Sequence, residues 1–252
     1  MPDAVTYGLV GLIVCFTAFQ EGVTGFGATV LALPFVTLLL GLPTAVPALV
    51  MQSGILALLI VLESRKNIVW REYGHIALLV GLGLPVGIWM RQAIPEQYLK
   101  WILAGFMIVV GTQGLIWLLM GKPHSKMSTG KKVFTSSFLP LGGIIHGAFG
   151  TGGPLVVIYA TRALTDKTLF RVTLCMMWLT MNTILTAQWL MSSGPHIEVF
   201  KIVGICLPFT LVGLFIGNKA HYRINEQAFR KVVYSVLIAS GMVLVASLVG
   251  LF

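Results

Sequence analysis

Charge is what this sequence has least of. Only 10% of its 252 residues are Asp, Glu, Lys or Arg, and the acidic share is 8 residues against 17 basic ones. Soluble domains carry about 25% charged residues, so a chain that is 57% hydrophobic has too little polar surface to fold in water. Cysteine is nearly absent as well. Cys15, Cys175 and Cys206 stand far apart in apolar segments with no Cys-x-x-Cys spacing, which reads as small buried hydrophobes and argues against disulfides or a metal site. A metal pathway needs several His, Cys or carboxylate ligands close together. No Gly-x-x-x-x-Gly-Lys-Ser/Thr loop is present, which speaks against built-in ATP hydrolysis. Neither a His-Glu-x-x-His run nor a Gly-x-Ser-x-Gly elbow occurs, so an intramembrane enzyme lacks its usual machinery. No Lys or Arg precedes the first apolar run, so a cleavable signal lacks its basic region and the first helix is expected to be retained.

What is present is a series of long charge-free stretches: 4–20, 22–62, 73–90, 101–121, 133–161, 172–197, 202–218 and 232–252. Most are long enough to cross a hydrocarbon layer of roughly 30 Å as a helix of about 20 residues. In lipid the backbone must satisfy its own hydrogen bonds; barrel strands would show a polar residue at every second position, and these stretches do not. With loop charges and Gly/Pro breaks as punctuation, ten helical segments fall near 4–19, 28–40, 44–62, 74–90, 99–120, 132–148, 154–163, 168–192, 199–217 and 229–250. The second and seventh are too short to cross alone and read as half-helices or re-entrant arms.

Sorting the loops by alternation places Arg65, Lys66, Arg71, Lys122, Lys126, Lys131, Lys132, Arg162, Lys167, Arg171, Lys219, Arg223, Arg230 and Lys231 on one side, and Arg91, Lys100 and Lys201 on the other. The positive-inside rule makes the first side cytoplasmic and puts both termini outside. The net charge of +9 therefore marks topology and gives no support to nucleic acid binding.

The halves also resemble each other. At an offset of 130, Ile94, Glu96, Gln97 and Lys100 meet Ile224, Glu226, Gln227 and Arg230, and Gly83, Gly87 and Gly111 meet Gly213, Gly217 and Gly241. At an offset of 125, Glu21, Gly25 and Gly27 meet His146, Gly150 and Gly152. The expected fold is thus all-α: a polytopic membrane protein of about ten segments in two inverted-topology repeats, 1–125 and 126–252, forming one integrated domain.

Two Gly-rich runs carry the chemistry: Gln20-Glu21-Gly22-Val23-Thr24-Gly25-Phe26-Gly27 and His146-Gly147-Ala148-Phe149-Gly150-Thr151-Gly152-Gly153-Pro154. Each is expected to interrupt a helix within an apolar environment, with Pro154 at home in the first turn of the next helix. Each break then offers a helix N-terminus suited to an anion at membrane depth. Gly83 with Gly87 and Gly213 with Gly217 have the spacing of close helix packing instead.

These runs, Gly22-Val23-Thr24-Gly25-Phe26-Gly27 followed by Pro34, and Gly147 through Pro154, resemble the sulfite exporter TauE/SafE family. The resemblance covers nearly the whole chain, including its size, doubled arrangement and basic side. It implies a transporter in a bacterial-type cytoplasmic (inner) membrane for sulfite, sulfoacetate, related sulfonates or other small organic anions.

The expected substrate-binding set is Gln20, Glu21, Thr24, Gly25, Gly27, Gln52, Ser53, His146, Gly150, Thr151, Gly152, Gly153, Trp178 and Asn182. Glu21 and His146 occupy equivalent positions and are candidates for proton coupling; the alternative is a capping Glu and a neutral, hydrogen-bonded His. Trp178 and Asn182, four apart, share a helix face. With Gln52, Ser53, Gln113, Thr180, Thr186 and Gln188 they are otherwise read as interhelical hydrogen-bonding groups. Met176, Met177 and Met181 fill space between helices. Arg162 and Arg171 are loop charges near the second run that either draw anions in or simply mark topology. No cofactor or metal is expected. The expected partners are a small anionic solute and the lipid bilayer, with a homodimer left open and nucleic acid excluded. The expected function is secondary transport, with an anion channel as the nearest rival and an intramembrane enzyme behind it.

Overall fold

The computed structural model describes residues 4–120, 134–164, 166–194, 196–221, 223 and 226–250. Lys122, Lys126, Lys131, Lys132, Ile224, the first two residues of the sixth expected segment and the boundary between 125 and 126 lie outside the described residues. The described residues form helices and no strand: α1 (Ala4–Thr24), α2 (Ala28–Leu40), α3 (Leu42–Ser64), α4 (Trp70–Ala93), α5 (Glu96–Leu119), α6 (Phe138–Phe149), α7 (Gly153–Ala163), α8 (Lys167–Ser193), α9 (Ile197–His221) and α10 (Glu226–Leu248). All ten expected segments are present. Six of them, α1, α3, α4, α5, α8 and α9, are long and apolar enough to span a membrane, so the chain is a polytopic membrane protein.

Both short arms stay short, at 13 residues for α2 and 11 for α7, or about 20 Å and 17 Å at 1.5 Å per residue. They leave their breaks toward opposite ends of the bundle. Just past α2, the Leu42 N–H donates to Glu96 Oε1 at 3.2 Å, at the end of the bundle where α4 gives way to α5. From α7, Tyr159 donates to Glu72 Oε2 at 2.6 Å, in the first turn of α4. A helix-length below one surface in each case, the breaks are therefore deep in the bundle.

The main helix pairings keep their pattern when the halves are exchanged: α1 packs against α9 as α6 packs against α4, α3 against α8 and α5 against α10. The offsets of 125 and 130 reappear in these contacts. A side chain on Gly83 would collide with the Pro140 carbonyl, and one on Gly213 with that of Cys15; Gly87 faces the Ile144 carbonyl as Gly217 faces that of Phe19. Likewise Gly111 lies against Tyr234 and Ile238, and Gly241 against Ala104 and Ile108. Glycine here lets backbones approach where lipid gives no hydrophobic push.

α3 and α8 are the inner pair. In α3 67% of the spanning window is buried, against 22% in α5, whose Trp101, Val109 and Ile116 face outward as lipid contacts. α8 starts on a capped turn: Asp166 Oδ1 accepts from the N–H groups of Thr168 at 2.8 Å and Leu169 at 2.9 Å. Asp166→Ala is expected to cost about 1 kcal/mol, read as a small drop in melting temperature in detergent, with Asp166→Asn close to wild type.

Candidate functional site

The first break is narrower than the glycine count suggests. α1 continues through Gln20, Glu21, Gly22, Val23 and Thr24, leaving only Gly25-Phe26-Gly27 between helices. Gly25 and Gly27 sit at φ 80° and 97°, a region closed to most side chains. Local side chains fasten the turn: Gln20 Nε2 donates to Phe26 O at 2.7 Å and to Thr24 Oγ1 at 3.0 Å, and Thr24 Oγ1 donates to Phe26 O at 2.9 Å. Glu21 is fully enclosed. Its Oε2 accepts from Ala28 N–H at 3.0 Å and its Oε1 from Ser53 Oγ at 3.4 Å. The anion site expected at the start of α2 is thus held by the protein's own carboxylate.

The second break repeats this plan with other chemistry. α6 runs through Phe149, and Gly150-Thr151-Gly152 separates it from α7. Gly150 is left-handed at φ 70°, whereas Gly152 is not, at −64°. Gly152 is small for another reason: a side chain there would strike the Gly142 carbonyl, where α6 and α7 fold on each other. Buried His146 takes Glu21's place, and the Gly152 N–H points at its Nδ1 from 3.4 Å. The ring lies 5.3 Å from that of Trp178 at an interplanar angle of 35°. Trp178 stands at offset 125 from Ser53, so the pairs Glu21–Ser53 and His146–Trp178 are counterparts. Asn182, one turn beyond Trp178, sits beside His146.

The breaks meet. A Cβ on Gly153 would lie 3.7 Å from both Phe26 and Trp178, and one on Gly150 would lie 3.6 Å from Thr29 at the start of α2. Gly54 of α3 is as close to Asn182 of α8, at 3.5 Å. Around this junction buried Thr151 Oγ1 and Trp178 Nε1 have no hydrogen-bond partner, while the His146 and Asn182 side chains face each other without a well-aligned bond. Each such group costs about 1–3 kcal/mol, and a folded chain rarely leaves several together without a use for them. Beside the first break a cavity of about 10 Å³, lined by Thr17, Ala28, Gln52, Ser53 and Thr210 among others, has room for about one water. Gln52 Nε2 there is bonded to Thr210 Oγ1, the interhelical role. So are Thr180, with Tyr73 at 2.9 Å, and Gln188, which accepts from Arg91 at 2.9 Å.

The family model described as "Sulfite exporter TauE/SafE" matches residues 10–244. The chain belongs to the sulfite exporter TauE/SafE family. Among curated proteins it is 24% identical over 199 residues to "Probable inner membrane transporter protein TsaS" of Comamonas testosteroni, covering 78% of this chain and 77% of that one. No solved structure matches. As a TauE/SafE protein the chain is a membrane transporter, and among its described residues no group of three or more His, Cys, Asp or Glu could hold a metal ion.

One residue of this TauE/SafE chain reads differently in the fold than in the sequence. Arg171, counted above as a loop charge, lies inside α8 with 5% of its surface exposed. It borders the first break, since a Cβ on Gly25 would meet its Cα at 2.7 Å. The Arg162 side chain lies outside the described residues.

Proposed function

We propose that this transporter is a secondary carrier exporting a small sulfur-containing or organic anion, such as sulfite, sulfoacetate or a similar sulfonate, across the cytoplasmic membrane. The halves 1–125 and 126–252 act as inverted repeats with both termini outside, and the solute sits where the two breaks touch. The observation that carries this reading is the convergence of unpartnered polar groups on that junction. Trp178 Nε1 and Thr151 Oγ1 are donors awaiting an acceptor, and the His146 and Asn182 side chains bring adjustable ones. A sulfite or sulfonate oxygen satisfies them, and a hydrogen bond to a charged partner contributes about 1.5–3 kcal/mol.

Energy for export comes first from charge. An inside-negative potential drives a monoanion outward by about 2.3 kcal/mol per 100 mV. Protons act on loading through Glu21 and His146: a proton on Glu21 removes negative charge beside the site, and one on His146 adds positive charge, so either favours the anion. Because each proton is given back on the side it came from, the step still carries the anion's charge. At the two ends of the bundle, Glu63, which accepts from Asn218 at 2.7 Å, and Gln188, which holds Arg91 at 2.9 Å, stand at offset 125.

The reading is tested by a thermal-shift screen of the purified protein against sulfite, thiosulfate, sulfoacetate, taurine and carboxylates, a true ligand raising the melting temperature of the state it binds. Stabilisation by none of the sulfur oxyanions, or single-channel currents in place of saturable flux, would contradict it. Trp178→Phe sharpens the test, because it keeps the ring on His146 and deletes one N–H. The KM for the substrate is expected to rise by about tenfold or more. The free protein should melt only slightly lower, the lost unsatisfied donor offsetting part of the cavity that the smaller ring leaves. A fall in stability with KM unchanged would assign Trp178 to packing.

A further inference from the structure

We propose that Arg171 is a second anion-binding point of this transporter, set on the approach from the basic end to the first break, and that it makes the two faces of the carrier unequal in affinity. This rests on the transporter reading above and deepens it.

Among the described residues Arg171 is the single buried Lys or Arg, and no carboxylate lies within ion-pair distance of it; Glu96 with Lys100, at 2.8 Å, is the pair found there. Its Nη2 donates to Asn218 Oδ1 and its Nε has no partner. A buried cation carries a desolvation penalty of several kcal/mol, which carboxylates beyond direct contact offset only in part, and an anion passing through supplies the missing contact. A guanidinium suits that task, since its fork of donors matches two oxygens of a sulfite, sulfonate or carboxylate.

Its position is specific. The Arg171 backbone lies against Gly25, and one turn on Cys175 Sγ donates to Gly25 O at 3.6 Å. Toward the basic end, Lys167 Nζ donates to His221 O at 3.1 Å and His221 Nδ1 meets Val23 O at 2.6 Å. Arg171 therefore stands between that end and the junction of the breaks. The charged groups around it are Glu63, reached through Asn218, and Glu21, near enough to feel its charge.

The counterpart makes the argument. At offset 125 the place of Cys175 is taken by Val50, which lies against Gly150, and the place of Arg171 by Val46, buried to 1% exposure. A symmetric frame thus carries a cation on one approach and a hydrocarbon on the other. An anion arriving from the basic side meets a buried guanidinium one step before the central site; from the other side it meets Arg91, held by Gln188 at 2.9 Å near the end of the bundle, and then only the hydrocarbon of Val46.

The test is the KM for sulfite and for sulfoacetate measured separately from each face of uniformly oriented proteoliposomes. Wild type is expected to show the lower KM at the basic face. Arg171→Gln should raise that KM by about tenfold or more and leave the opposite KM within about twofold. Arg171→Lys, which keeps the charge but loses the two-oxygen fork, should give a KM at the basic face between those of wild type and Arg171→Gln and leave the opposite KM within about twofold. An Arg171 that merely ties α8 to Asn218 would instead lower stability and slow flux equally from both sides. Equal KM rises at the two faces, or none, would overturn the proposal while leaving the carrier reading intact. A wild-type protein that moves neither solute would overturn both.

Discussion

Replacing Glu21 by Gln is expected to flatten the pH dependence of transport. The amide oxygen can still accept from the Ala28 N–H that Glu21 holds at 3.0 Å, so the α2 start stays capped, but no charge can come and go. With a carboxylate there, acid should favour anion loading, and wild-type flux should rise as pH falls, by up to about tenfold per pH unit where one proton limits. In Glu21→Gln the same change should be under about twofold, with solute exchange at equal pH retained. His146→Asn should remove a second part of the response, since His146 occupies the equivalent place beside Gly152. Flux measured at several pH values in proteoliposomes decides this: a response unaltered in both variants would remove proton coupling from these residues and leave Glu21 as a cap.

A larger effect on the fold itself is expected from the packing glycines. Gly83→Leu would drive a side chain into the Pro140 carbonyl on α6, and Gly213→Leu would do the same to the Cys15 carbonyl on α1. Backbone cannot rotate away as a side chain can, so the helices must part, at about 3 kcal/mol or more. The melting temperature in detergent should fall by about 10 °C, or the protein should fail to accumulate. Gly105→Leu and Gly204→Leu face open space and should melt within about 2 °C of wild type. Equal losses in all four variants would mean that leucine is disfavoured in these helices for some reason other than contact.

Much of this was legible in the sequence because a membrane makes the code severe. Where charge is forbidden, its absence delimits helices, and all ten segments read from charge and glycine breaks correspond to helices here. Gly83, Gly87, Gly213 and Gly217 were readable as packing sites because four-residue spacing has one obvious use in lipid. The pairing of Glu21 with His146 came from the offset alone. Break width was not readable. Gly22 and Gly147 look like part of each loop, yet they remain helical because α9 and α4 press on them: a side chain on Gly22 would meet Gly217, and one on Gly147 the Leu84 carbonyl. The sequence named a capping Glu21 as the alternative reading but could not choose it, since the choice depends on the turn made by Gly25 and Gly27, which brings the Ala28 N–H to its carboxylate. Arg171 was misplaced for the plainest reason. A charge four residues into a helix looks like a topology marker until the neighbours that bury it are known, and those come from α1 and α9, far away in the chain.

The account turns on an anion lodged between the two breaks. The direct measurement is an experimental structure of the protein soaked with selenite, a sulfite analogue whose selenium can be located by anomalous scattering. The account predicts a selenium peak within hydrogen-bonding reach of Trp178 and Thr151, beside His146, where Phe26 and Gly153 approach each other. Selenium found only on the outer faces or loops would contradict it.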